Sequence, residues 1–194
     1  NGARIPKIYF ITKYSSPRSA TGWKYIIGME PLDGDGGKFF KRNFNEQNKY
    51  KNFLKGLRDL ATLLKKIQTK FKFMHRDFHA GNVMYKKMPG DNYRMYIIDF
   101  GMSTIETSKG KWLNRITQTF HYKKNFRFNP THDLRMLMLS IFSSSSFRNA
   151  KKELVMLFCS ILITILRYSR MNNDVLFWNS YADMIHVKDD GFHP

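Results

Sequence analysis

Cysteine is almost absent: the 194 residues hold one, Cys159. That excludes an internal disulfide. A lone thiol inside an apolar helical pattern is expected to pack as a small hydrophobe and favours a reducing, intracellular compartment, the cytoplasm or nucleus. Acidic residues are scarce as well, 15 Asp and Glu against 33 Lys and Arg, which leaves a formal net charge of +18. Such a surplus attracts polyanions: nucleotide phosphates, acidic proteins, nucleic acid or an anionic membrane surface. The bases fall in scattered pairs (Lys41-Arg42, Lys65-Lys66, Lys86-Lys87, Lys123-Lys124, Lys151-Lys152) rather than one block. A solvated basic surface is therefore expected ahead of a dedicated nucleic-acid groove. Long apolar runs are missing too. The longest, residues 154–166, is broken by Ser160 and Thr164 and is too short to cross a bilayer, so no integral membrane segment is expected. The opening NGARIPKIYF lacks a signal-peptide layout, and no internal repeat occurs. What is present, 42% hydrophobic and 15% aromatic residues, excludes a disordered chain and supports a domain with a sizeable core.

Residues 8–11 and 23–29 read as strands, apolar and partly β-branched. Pro31 and Asp33-Gly34-Asp35-Gly36-Gly37 predict a flexible connector. Phe53, Leu54, Leu57, Leu60, Ala61, Leu64 and Ile67 recur at helical spacing, which predicts one or two amphipathic helices over 45–69 with lysines outward. Residues 82–85 and 94–98 read as a hairpin around Pro89-Gly90-Asp91-Asn92. Residues 101–130 lack periodicity and read as a long loop. Helices are expected over 133–142, with Asp133 at a capping position, and over 150–168, with a break at 143–146 and a further helix at 175–181.

The densest information lies between His75 and Gly101, in HRDFHAGNVMYKKMPGDNYRMYIIDFG. It holds His75-Arg76-Asp77, Asn82 five places after the Asp, and Asp99-Phe100-Gly101 after an apolar run. Phosphoryl transfer from ATP needs such a set: one carboxylate to orient the acceptor hydroxyl, and a carboxamide with a second carboxylate to hold Mg²⁺ against the phosphates. Antiparallel pairing of the expected hairpin places Asn82 and Asp99 at the same end, so the spacing has a geometric reason.

These residues resemble the protein-kinase superfamily, specifically its large lobe. The resemblance implies an α+β, protein-kinase-like fold: a mostly helical C-terminal lobe with a catalytic β-hairpin, preceded by remnant small-lobe strands. Residues 1–30 would be those strands leading to the hinge. Residues 31–194 would be the C-terminal lobe, with catalytic loop 75–82, Asp-Phe-Gly segment 99–101, activation loop 102–130 and core helix 133–142. Asp77 matches the catalytic Asp, and Asn82 and Asp99 match the two metal ligands. His75 would pack beneath the Asp-Phe-Gly turn. Arg76 implies an activation loop organised by an anion, with Thr104, Thr107, Ser108, Thr117 and Thr119 as candidate phosphate carriers; an ion pair from Arg76 to a loop backbone or carboxylate is an equal alternative. Met29-Glu30-Pro31-Leu32 resembles the adenine-holding hinge. There Met29 is the gatekeeper, the Glu30 carbonyl and Leu32 N–H face the purine, and Met84 forms the pocket floor; an ordinary strand end is the competing reading. Asp35 is a candidate ribose contact. The implied cofactors are ATP and Mg²⁺, and the implied partner is a protein substrate offering a Ser or Thr hydroxyl.

Three departures qualify the match. His79, two places after Asp77, is similar to haspin-type atypical kinases, to aminoglycoside and choline phosphotransferases, and to kinase-like proteins of large DNA viruses, which would work in a host cell. No Ala-Pro-Glu triplet closes the activation segment. No Gly-x-Gly-x-x-Gly loop and no Val-Ala-x-Lys strand occur, so the sequence is expected to be a fragment lacking most of the small lobe. A Ser/Thr protein kinase leads, a small-molecule kinase follows from His79, and a non-catalytic kinase-like binding module with a polyanionic partner is the third reading. Losing the small lobe would expose apolar surface along residues 8–11 and the hinge.

Overall fold

The computed structural model describes residues 4–19, 21–45, 50–90, 92–107, 110–113, 128–143 and 152–168. Strand β1 (Ile8–Ser15) pairs antiparallel with β2 (Trp23–Met29), from Ser15 opposite Trp23 to Ile8 opposite Met29, with a bulge between Ile8 and Phe10. The connector expected at 33–37 is ordered instead. Strand β3 (Gly34–Asp35) pairs with Tyr85 and Met84, and helix α1 (Gly36–Asn45) starts at once. Asp35 Oδ1 accepts the N–H of Lys38 at 2.9 Å, which caps the helix start. Gly36 permits a close approach: a Cβ there would sit 2.7 Å from the Ala80 carbonyl oxygen and 2.8 Å from Val83 Cβ.

Helix α2 (Tyr50–Phe71) follows, so the apolar periodicity expected from residue 45 belongs to a helix that starts five places later. Its inner face buries Phe53, Leu54, Leu57, Leu60 and Leu64, while Lys51, Lys55, Lys65, Lys66 and Lys70 are exposed. Strands β4 (Val83–Met88) and β5 (Asn92–Ile97) form the expected hairpin, longer than its apolar core, with Val83 opposite Ile97. Strands β6 (Thr104–Thr107) and β7 (Gly110–Leu113) make a further ribbon inside the stretch read as a loop. The reason is long-range: Met74 and Thr104 exchange backbone hydrogen bonds at 2.9 and 2.8 Å, which pins the first of these short strands. Helices α3 (His132–Phe142) and α4 (Lys152–Tyr168) agree with expectation to within two residues, whereas the helix predicted at 175–181 lies outside the described residues.

The core lies between α1, α2, α3, α4 and the β4–β5 hairpin. Phe39 packs on Tyr85 and Tyr93, Phe40 and Phe44 on Phe53, and Phe44 on Phe158. Leu57, Leu64, Val83, Ile97, Leu134 and Ile165 are fully buried there. Burial of one such aliphatic side chain contributes about 1.5–3 kcal/mol, so the hairpin between the two central motifs rests on this core. The β1–β2 ribbon is the opposite case. Ile11 is 60% and Tyr25 64% exposed, and Ile8, Tyr9, Phe10, Ile26 and Ile27 are exposed as well. Exposed apolar surface of this extent seeks a cover. Light scattering of this 194-residue chain should give a mass above 23.0 kDa; a monodisperse monomer at high concentration refutes that expectation.

Candidate active site

The loop between α2 and β4 is held from below by one carboxylate. Asp133, fully buried at the start of α3, accepts the N–H of His75 at 2.8 Å and that of Arg76 at 2.9 Å. Arg76 sits in the left-handed region at φ 71°, a conformation costing an L-residue about 1–3 kcal/mol unless its surroundings fix it. The paired hydrogen bonds supply that fixing. His75, also fully buried, donates from Nε2 to the carbonyl of Ile98 at 2.8 Å and lies 5.5 Å from the ring of Phe100. The loop is thus tied to the segment that delivers Asp99. Burial lowers the pKa of the neighbouring His132, against the opposing effect of Asp133.

Asp77 projects from this loop with its side chain 45% exposed. Asn82 Nδ2 donates to the Asp77 carbonyl at 2.8 Å and reaches Asp77 Oδ2 at 3.3 Å. The Asn82 carbonyl in turn accepts the N–H of Ile98 at 3.1 Å, one residue before Asp99. Asp99 is exposed and left-handed at φ 57°, and its Oδ1 accepts the Gly101 N–H at 3.2 Å. Asn82 Oδ1 and Asp99 Oδ2 make no hydrogen bond among the described residues. Two free oxygens at one end of a hairpin suit Mg²⁺, which keeps several waters and takes one or two carboxylates plus phosphate oxygens. No group of three or more His, Cys, Asp or Glu among the described residues could hold a metal without such help.

Beside Asp99 opens an apolar cavity of about 320 Å³. Ile5, Pro6 and Ile8 form one wall, Ile27 and Met29 of β2 another, and Ile97, Ile98, Asp99 and Phe100 the third. The structure therefore gathers His75, Arg76, Asp77, Asn82 and Asp99 at the hairpin end and sets Met29 over the adjoining cavity. Glu30, Leu32 and Met84 do not line it. Glu30 turns its carboxylate to the Lys7 N–H at 2.9 Å and to Lys86 Nζ at 3.5 Å. Its pKa is lowered, chiefly by the Lys7 hydrogen bond. Leu32 is half-buried. Met84 shares its face of the ribbon with Tyr96 and pairs with Asp35, while Val83 and Ile97 occupy the alternate positions; Ile97 and Ile98, and not Met84, line this cavity. Thr104 is 3% exposed and bridged to Met74, which removes it from the candidate phosphate carriers. Ser108, Thr117 and Thr119 lie outside the described residues.

Sequence reasoning read Asp133 only as a helix cap, and it passed over Asp59 and Ser140. The single acid of lysine-rich α2, Asp59, binds both terminal nitrogens of Arg4 and accepts the Met95 N–H at 2.9 Å. Ser140 Oγ accepts the Ala80 N–H at 2.9 Å. The one acidic residue of its helix was the available signal in two of these three cases.

Residues 4–126 match the family described as the ABC1 atypical kinase-like domain. The chain is 28% identical over 109 residues to AarF domain-containing kinase 1 of Drosophila melanogaster. That alignment takes in 56% of this chain and 19% of the relative, so the chain spans about a fifth of the length of the curated relative it matches. Among solved structures, WaaP in complex with acyl carrier protein is similar over 88% of this chain and 70% of that one, at a TM-score of 0.45 and 13% identity. The matched residues include both central motifs. No helix among the described residues is long and apolar enough to cross a membrane. With more than half its length matched, the chain belongs to the ABC1 atypical kinase-like domain family, within the protein-kinase-like superfamily.

Proposed function

We propose that this chain carries the metal- and acceptor-facing half of an ATP-dependent phosphotransferase. One observation carries the reading: Asp77 and Asn82 touch at 3.3 Å, and the Asn82 carbonyl holds the backbone one residue before Asp99. In this scheme Asp77, engaged through Oδ2 and its carbonyl, turns its other oxygen to the acceptor hydroxyl, orients it and takes its proton. Asn82 and Asp99 would hold Mg²⁺, which when bound neutralises charge on the phosphate oxygens. His75 and Asp133 keep the two halves of the site in register. The purine is assigned to the Met29 side of the cavity, with the Glu30 carbonyl and Leu32 N–H toward its edge and Met84 beneath the neighbouring strand.

The acceptor proposed is a Ser or Thr hydroxyl of a protein. An acidic partner suits the net charge of +18 and the outward lysines of α2. The exposed β1–β2 ribbon supports reading residues 1–30 as strands of a smaller lobe, with 31–194 as the larger. The unpaired Cys159 supports an intracellular setting. His79 favours a second reading, transfer to a small alcohol or amine. The test is the full-length protein given γ-labelled ATP with and without Mg²⁺, in the presence of acidic and basic proteins, small alcohols and amines. Metal-dependent label on Ser or Thr is expected. Label confined to small molecules moves the assignment to the second reading, and an absence of both Mg-ATP binding and ADP formation leaves a binding module.

A further inference from the structure

We infer that His79 is a positioning residue for Asp77, an inference that rests on Asp77 being the proton-accepting carboxylate. His79 precedes the 3₁₀ turn Ala80–Asn82, and its Nδ1 accepts the Gly81 N–H at 3.1 Å. Accepting at Nδ1 requires a lone pair there, so the neutral ring carries its hydrogen on Nε2. That Nε2 lies 3.8 Å from Asp77 Oδ2. The same oxygen is approached by Asn82 Nδ2 at 3.3 Å. One carboxylate oxygen thus faces two N–H donors, while Oδ1 has none among the described residues. A carboxylate engaged on one side offers a single, defined oxygen to the acceptor hydroxyl. The spacing of 3.8 Å is longer than a hydrogen bond, and contacts of this kind tighten when substrate is bound.

The ring is held for this purpose from several directions. The His79 N–H donates to the Asp77 carbonyl at 3.0 Å, and the next residue is anchored to α3 through Ser140 Oγ at 2.9 Å. Gly81 leaves room for the ring, since a Cβ there would lie 3.0 Å from both Cε1 and Nδ1 of His79. Two functions therefore meet in one side chain: Nδ1 caps the turn, and Nε2–H addresses Asp77. They are separable by substitution. His79→Asn keeps an oxygen to accept the Gly81 N–H, since Asn is among the best residues at such a cap, but it reaches no further. His79→Gln places an amide donor near the former Nε2 and gives up the cap.

The experiment measures ADP release from Mg-ATP and thermal unfolding in the full-length protein, for wild type, Asp77→Asn, His79→Asn and His79→Gln. His79→Asn should lower kcat about tenfold with KM for ATP within about threefold and Tm unchanged. His79→Gln should stay within about threefold of the wild-type kcat while its Tm falls. Wild-type kcat in His79→Asn, or kcat that follows Tm in both variants, overturns the inference. If Asp77→Asn is inactive in that case, the phosphotransferase reading survives. Full turnover by Asp77→Asn, or none by wild type, removes the reading on which the inference stands.

Discussion

Asp99→Ala should lower Mg²⁺-dependent phosphoryl transfer by about a thousandfold in the full-length protein while the fold survives. The size follows from what the side chain does elsewhere, which is very little. Asp99 is exposed, and among the described residues its side chain makes one hydrogen bond, a local one to Gly101 two residues on. Its removal therefore costs the core no buried area. What remains is a backbone at φ 57°, where replacing Asp by Ala costs about 1 kcal/mol because only Gly, Asn and Asp adopt the left-handed region readily. Asp99→Asn separates the two effects. It tolerates the conformation and retains an oxygen for Gly101, but it has lost the negative charge with which the proposed ligand would hold Mg²⁺. Asp99→Asn should melt with wild type and still lose transfer by two to three orders of magnitude, about the effect of deleting one preorganised electrostatic group. Steady-state transfer at several Mg²⁺ concentrations, beside thermal melts, reads both. Full activity in both variants rejects Asp99 as a metal ligand.

The arrangement of the candidate site was legible in the sequence where its geometry is local. Asp77 to Asn82 spans five residues of a turn, and Asn82 to Asp99 spans a hairpin whose alternation and Pro89-Gly90 turn fix the register. Contacts between distant segments were not legible. Asp133 meets His75 from 58 residues away and Arg4 meets Asp59 from 55, and no periodicity announces either. Helix α1 was missed because two glycines open it, and glycine is a poor helix former. Its stability comes instead from the Asp35 cap and from Phe39, Phe40 and Phe44 packing into the core. The β6–β7 ribbon was missed because its strands are short, and long-range contacts draw them into order: Thr104 pairs with Met74 and Ile105 packs against the core. Met84 was placed in the pocket by a resemblance. Strand alternation puts it with Tyr96, and Ile97 and Ile98 line the cavity in its place.

The buried carboxylate of Asp133 carries the largest expected effect on stability. Both of its oxygens are engaged by backbone N–H groups, of His75 at 2.8 Å and Arg76 at 2.9 Å, and the residue has no exposed surface. Asp133→Ala leaves two buried donors without partners, each costing about 1–3 kcal/mol, which puts the total at about 2–6 kcal/mol. That is a large part of the 5–15 kcal/mol typical of a domain. Asp133→Asn should fall between, since its one carbonyl oxygen serves one N–H while its amide faces the other as donor against donor. Activity should fall further than stability predicts. Arg76 holds its left-handed backbone against Asp133, and Asp77 is the next residue, so relaxation of that φ angle swings the Asp77 carboxylate, the proposed proton acceptor, away from Asn82. A misplacement of about 1 Å costs on the order of a hundredfold in rate. Denaturant unfolding alongside transfer assays, at a temperature where every variant is still folded, distinguishes the two losses. A loss of rate no greater than the fraction unfolded would make Asp133 a core residue only; a loss well beyond it makes this carboxylate the link through which α3 sets the geometry of the reacting groups.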